Sequence, residues 1–167
     1  VDTVAQVTCV ATQEILQQDA SGLATFSVQV SDLAGNSADL IVATSDGSSV
    51  EIDTTPPSIV TISMQTDEGL SVAGIGDTII LTFTADEPLS SSTVELAERM
   101  QDVSCDASMM TCSAQLTVTA DDPEGVPSVL IDFADIAGNS ATYSKDHSMD
   151  TDGDGIPDVV EGTDDVD

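Results

Sequence analysis

The chain has 167 residues, and 31 Asp and Glu against 2 Lys and Arg give it a formal net charge of −29. Two basic groups among so many acids are too few to displace counterions from phosphate, which argues against nucleic acid as a partner, and an anionic membrane surface is disfavoured by the same sign. Cations and water are the natural company of such a surface, yet 40% of the residues are apolar, too many for an acidic disordered tail.

The length suits one or two small domains with modest cores. With no Trp, one Tyr and three Phe, those cores must be built from Val, Ile, Leu and Ala. No run is long enough to span a bilayer and no signal peptide is visible. The chain starts with Val rather than Met, so it is expected to be a processed product or a piece of something longer.

In chain order, strand signals come at LATFSVQV (23–30), DLIVATS (39–45), SIVTISM (58–64), DTIILTFTA (77–85), SAQLTVTA (113–120) and SVLIDFA (128–134). Each alternates or runs in β-branched residues and is bounded by Gly, Pro, Asp or Ser. STVELAERMQDV (92–103) alone hints at a helix. Short strands at this spacing predict an all-β, antiparallel sandwich architecture.

An internal repeat is visible. DLAGNSA (32–38) recurs as DIAGNSA (135–141), an offset of 103. In the same register Gly22 falls on Gly125, Val28 on Ile131 and Cys9 on Cys112, and TCVA (8–11) lands on TCSA (111–114). This gives a partial domain at 1–53, a complete one at 54–147 and a short segment at 148–167. Residues 1–53 match only the second half of the repeat, so they are not expected to fold alone. Upstream chain or another subunit would supply the missing strands. The join, VEIDTTPPSIV, is taut, because Pro56 and Pro57 fix φ and push Thr55 toward extended geometry.

The order IDTTPPSIVTIS, GDTIILTFTADEPL and DIAGNSAT resembles the bacterial immunoglobulin-like repeats of large surface and secreted proteins. The likeness covers about residues 1–147, with the first repeat partial. It implies tandem immunoglobulin-like sandwiches and says little about ligand.

Residues 150–161, DTDGDGIPDVVE, put five carboxylates into twelve positions. Positions 1, 3, 5, 9 and 12 are Asp150, Asp152, Asp154, Asp158 and Glu161, with Gly155 at 6 and Ile156 at 7. That is the ligand spacing of a calcium loop, with the Ile156 carbonyl at position 7 and a bidentate Glu at position 12. A hard cation would offset the mutual repulsion of these oxygens; a solvated acidic tail is the alternative. An EF-hand is not expected, since SATYSKDHSM before the loop reads as strand and Pro157 lacks a backbone donor. The loop instead resembles the thrombospondin type 3 calcium repeat.

Other acidic groups are Glu51 with Asp53, Asp67 with Glu68, Asp86 with Glu87, and Asp121 with Asp122. They suit turns and solubility, although one or two pairs could meet at a domain junction and hold calcium. The DxAGN stretches read as turns, with Gly35 and Gly138 taking positive φ and Asp32 and Asp135 bonding the following backbone. Cys105 and Cys112 flank DASMMT, and a hairpin there would allow a disulfide; two reduced core cysteines are the alternative. Zinc is not expected with His147 as the only histidine. That single His, with no GxSxG and no phosphate loop, argues against an enzyme.

The expectation is a calcium-stiffened, extracellular or cell-surface repeat segment with a spacer, adhesive or fibre-building role. Its partners would be calcium and neighbouring repeats or subunits, without membrane insertion. An accessory, non-catalytic region of a secreted hydrolase is the alternative.

Overall fold

The computed structural model of the protein describes residues 7–122 and 124–145. The chain divides into two compact units between Thr55 and Pro56. The described residues are all-β and contain no helix, and their strands form three antiparallel sheets.

The first unit holds the smallest sheet, β1 (Gly22–Leu23) paired with β2 (Glu51–Ile52). Two isolated bridges, Val28 with Ile41 and Ser31 with Ser37, mark a ragged hairpin around DLAGNSA. The regular strands expected at 23–30 and 39–45 are therefore not formed. The backbone there has bridges without a continuous ladder, and its side chains are exposed. Without packing, alternation and β-branching alone do not hold a strand.

The second unit carries β3 (Ile59–Thr66), β4 (Thr78–Ala85), β5 (Leu89–Leu96), β6 (Arg99–Gln101), β7 (Val103–Cys105), β8 (Thr111–Thr117), β9 (Val129–Asp135) and β10 (Ser140–Lys145). They form two four-stranded sheets, ordered β3-β4-β8-β7 and β10-β9-β5-β6. Alternate residues face inward, as the period of two requires. Leu81, Phe83 and Ala85 of β4 meet Val94 and Leu96 of β5, Ala114 and Leu116 of β8, and Ile131 and Phe133 of β9 in one buried core. The two sheets thus share one interior, in the manner of a β-sandwich.

The expected helix at 92–103 is a hairpin instead. Val94 and Leu96 point inward on β5, and Ala97 and Glu98 turn the chain with φ of 49° and 61°. Two successive left-handed residues match a two-residue hairpin turn and cannot continue a right-handed helix.

The register fixes which strand ends share a pole. Ile59 pairs with Ala85 and Leu89 with Asp135, so β3 begins at the pole holding the Asp86–Pro88 crossover, the 106–110 loop and the 135–139 turn. Lys145 pairs with Val129, so β10 ends at the opposite pole, beside the loops 67–77 and 118–128.

Candidate functional site

The acids at the entry pole are turned onto the protein's own backbone. Asp135 ends β9 fully buried, and its Oδ1 accepts from the Gly138 N–H at 2.6 Å and the Asn139 N–H at 2.9 Å. Its Oδ2 accepts from Asn139 Nδ2 at 2.7 Å. Gly138 stands at φ 95°, where a side chain would be strained. A carboxylate oxygen of Glu87 lies within 4.8 Å of one on Asp135.

Asp32 makes the same turn in the first unit. It accepts from the N–H groups of Ala34 and Asn36 at 2.9 and 2.8 Å, and from Asn36 Nδ2 at 2.8 Å. The Asn36 side chain, then its backbone N–H, hold the Asp32 carboxyl below the usual carboxylate range. The turn role expected for Asp32 and Asp135 is the one found.

Among the other expected acidic groups, Asp53, Asp86 and Asp122 do similar work. Asp86 accepts from the Ser58 N–H at 2.8 Å and from Ser58 Oγ at 2.7 Å, and the Ser58 backbone donor, followed by its hydroxyl, depresses the Asp86 pKa. That clamp ties the start of β3 to the crossover between sheets. Asp122 accepts from the Thr119 N–H at 2.6 Å and from Arg99 Nη2 at 2.9 Å, and the Thr119 backbone donor is the largest influence lowering its pKa. Asp67 and Glu68 sit on the exposed turn after β3. In the first unit the Asp53 carboxylate accepts from the Thr55 N–H at 3.0 Å. The expected calcium ligands Asp150, Asp152, Asp154, Ile156, Asp158 and Glu161 lie outside the described residues.

Cys105 and Cys112 form a disulfide between directly paired positions of β7 and β8, with Cα atoms 4.0 Å apart. It closes the base of the 106–110 hairpin loop. Asp106 organises that loop, and the Ser108 hydroxyl, the largest influence, lowers the Asp106 pKa. Met110 and Met109 then lend their carbonyls to the N–H groups of Ala85 and Leu89, on either side of the crossover. Cys9 is a free, exposed thiol.

Two features escaped the sequence reading. One is a groove of about 700 Å³ at the exit pole, lined by Leu70, Val72, Ile75, Leu116 and Val126 among others. Its signal was the apolar loop LSVAGIG between two strands, where polar turn residues are the rule. The other is a second repeated turn. Asp19 Oδ2 accepts from the Leu16 N–H at 2.8 Å, as Asp122 Oδ2 does from the Thr119 N–H, again 103 positions on. No family model, no curated protein and no solved structure matches the chain.

Proposed function

We propose that the protein is a structural segment of an extracellular or surface protein, built from repeated immunoglobulin-like sandwiches and stiffened by calcium at its C-terminal loop. The observation that carries this reading is the recurrence of one Asp-anchored turn, with the same Asn backbone and side-chain donors, at Asp32 and Asp135. Repetition of one module is how a chain gains length and a fixed rise per unit. The second unit takes the chain in at one pole and releases it at the other, adding about 25 Å of strand length. A spacer needs that geometry, and an adhesive or fibre role would build on it.

Calcium is inferred from the donor set of residues 150–161. Asp150, Asp152, Asp154, Asp158 and Glu161 offer only hard carboxylate oxygens, and the Ile156 carbonyl adds another. Binding would neutralise part of this cluster and order the segment. Calorimetry of the full chain with calcium, against a chelator control, should show heat that Asp154→Ala reduces severely. Affinity should also fall as pH drops toward ~4, where carboxylates protonate. Identical heats for wild type and Asp154→Ala would defeat the calcium half of the proposal.

A further inference from the structure

The core residues that β9 gives the second unit have counterparts 103 positions earlier, and those counterparts are exposed. Val129, Ile131 and Phe133 are 4%, 0% and 5% exposed, whereas Phe26, Val28 and Val30 are 44%, 45% and 55% exposed. The two stretches also share their boundaries. Gly125 and Gly22 precede them at φ 117° and 131°, and the Asp135 and Asp32 turns close them. In the second unit β9 is flanked by β10 on one edge and β5 on the other. In the first unit, residues 28–31 meet Ser37 and Ile41, the counterpart of β10, and among the described residues no strand lies on the other edge.

We propose that residues 7–42 are the second half of a sandwich whose first half is a segment patterned like residues 54–105, joined ahead of them in the same chain. The apolar side chains of Phe26, Val28 and Val30 are its inner face, and the free edge of 26–32 is the seat of a strand equivalent to β5. The occupant is identified by what covers the matching face in the second unit: Leu81 and Phe83 of β4 with Val94 and Leu96 of β5. A second copy of this chain is a poorer fit, because its own residues 54–105 already cover β8 and β9. The proposal rests on the repeat register and is independent of calcium.

Cys9 supplies a chemical readout. Its counterpart Cys112 is bridged to Cys105, and the position matching Cys105 is Asp2. Placing a duplicate of residues 54–105 directly before Thr3 restores that cysteine seven positions ahead of Cys9. In glutathione buffer the two thiols should give up two electrons and two protons to glutathione disulfide, and peptide mapping should find them linked. Amide exchange across 26–32 should slow by at least about 100-fold relative to the 167-residue chain. The same duplicate with its cysteine changed to serine should still protect these amides, which separates packing from cross-linking. Unchanged exchange in both chimeras would overturn the proposal. So would concentration-dependent dimerisation of the 167-residue chain that protects 26–32, since a second copy would then be the occupant.

Discussion

Asp32 and Asp135 each accept from the backbone and side-chain N–H groups of an Asn four residues on, in different surroundings, and the surroundings set what each is worth. Removing the fully buried Asp135 carboxylate takes away the acceptor of two part-buried hydrogen bonds, from the N–H groups of Gly138 and Asn139. Hydrogen bonds to a charged group are worth about 1.5–3 kcal/mol, so Asp135→Ala should lower stability by about 2–3 kcal/mol. At exposed Asp32 water replaces the lost acceptor, and Asp32→Ala should cost under about 1 kcal/mol. Urea unfolding of the two variants makes the comparison; equal losses would refute the role of burial. The sequence showed both turns, because Asp, Gly and Asn at these spacings have few alternative uses. It could not separate them, since burial depends on strands elsewhere in the chain.

Among the elements, the 106–110 hairpin carries more than its length suggests. The disulfide at its base holds the loop whose Met109 and Met110 carbonyls secure the crossover at Leu89 and Ala85. Replacing both Cys105 and Cys112 by serine should cost about 2–3 kcal/mol on the chain-entropy account. It should also speed exchange at the Ala85 and Leu89 amides, measured by hydrogen exchange with and without the bridge. A global loss with no local change at those two amides would show that the hairpin does not secure the crossover. The strands β3, β4, β8 and β9 were legible from alternation and β-branched content. Residues 92–103 were not: Ala, Glu, Arg and Met favour helix by propensity, and the tertiary demand to bury Val94 and Leu96 on a strand overrode it. In the first unit the error ran the other way, with strand-like sequence present and its side chains exposed among the described residues.

For the whole molecule the dominant quantity is the net charge of −29. Mild acidification reduces that charge and relieves self-repulsion, which favours the compact state. Asp86, Asp106 and Asp122 act in the opposite sense. Their folded-state pKa values lie below the ordinary 3.8, so their stabilisation is complete above 3.8 and is lost as pH falls through the lower folded values. The urea midpoint at fixed ionic strength should therefore rise from pH 7 to about 4.5 and fall below about 3.5. Asp86→Asn should blunt the acid limb, and an unaltered limb would remove Asp86 from the account. At this scale the repeat was readable from two Asp-Gly-Asn turns, whereas the exposure of the first half-repeat required coordinates.

In the second unit β3 begins at Ile59 at one pole and β10 ends at Lys145 at the opposite pole. Tension applied through the ends of such a module acts along β3 rather than across it. The ladder from Ile59 to Thr66 is then loaded in shear, and its pairs with β4 share the force instead of opening one after another. The first group to feel the pull is the clamp of Ser58 on Asp86, at 2.8 and 2.7 Å. Under such a load a single surface carboxylate would serve as the shear pin of the module, and acid would weaken it without touching the core.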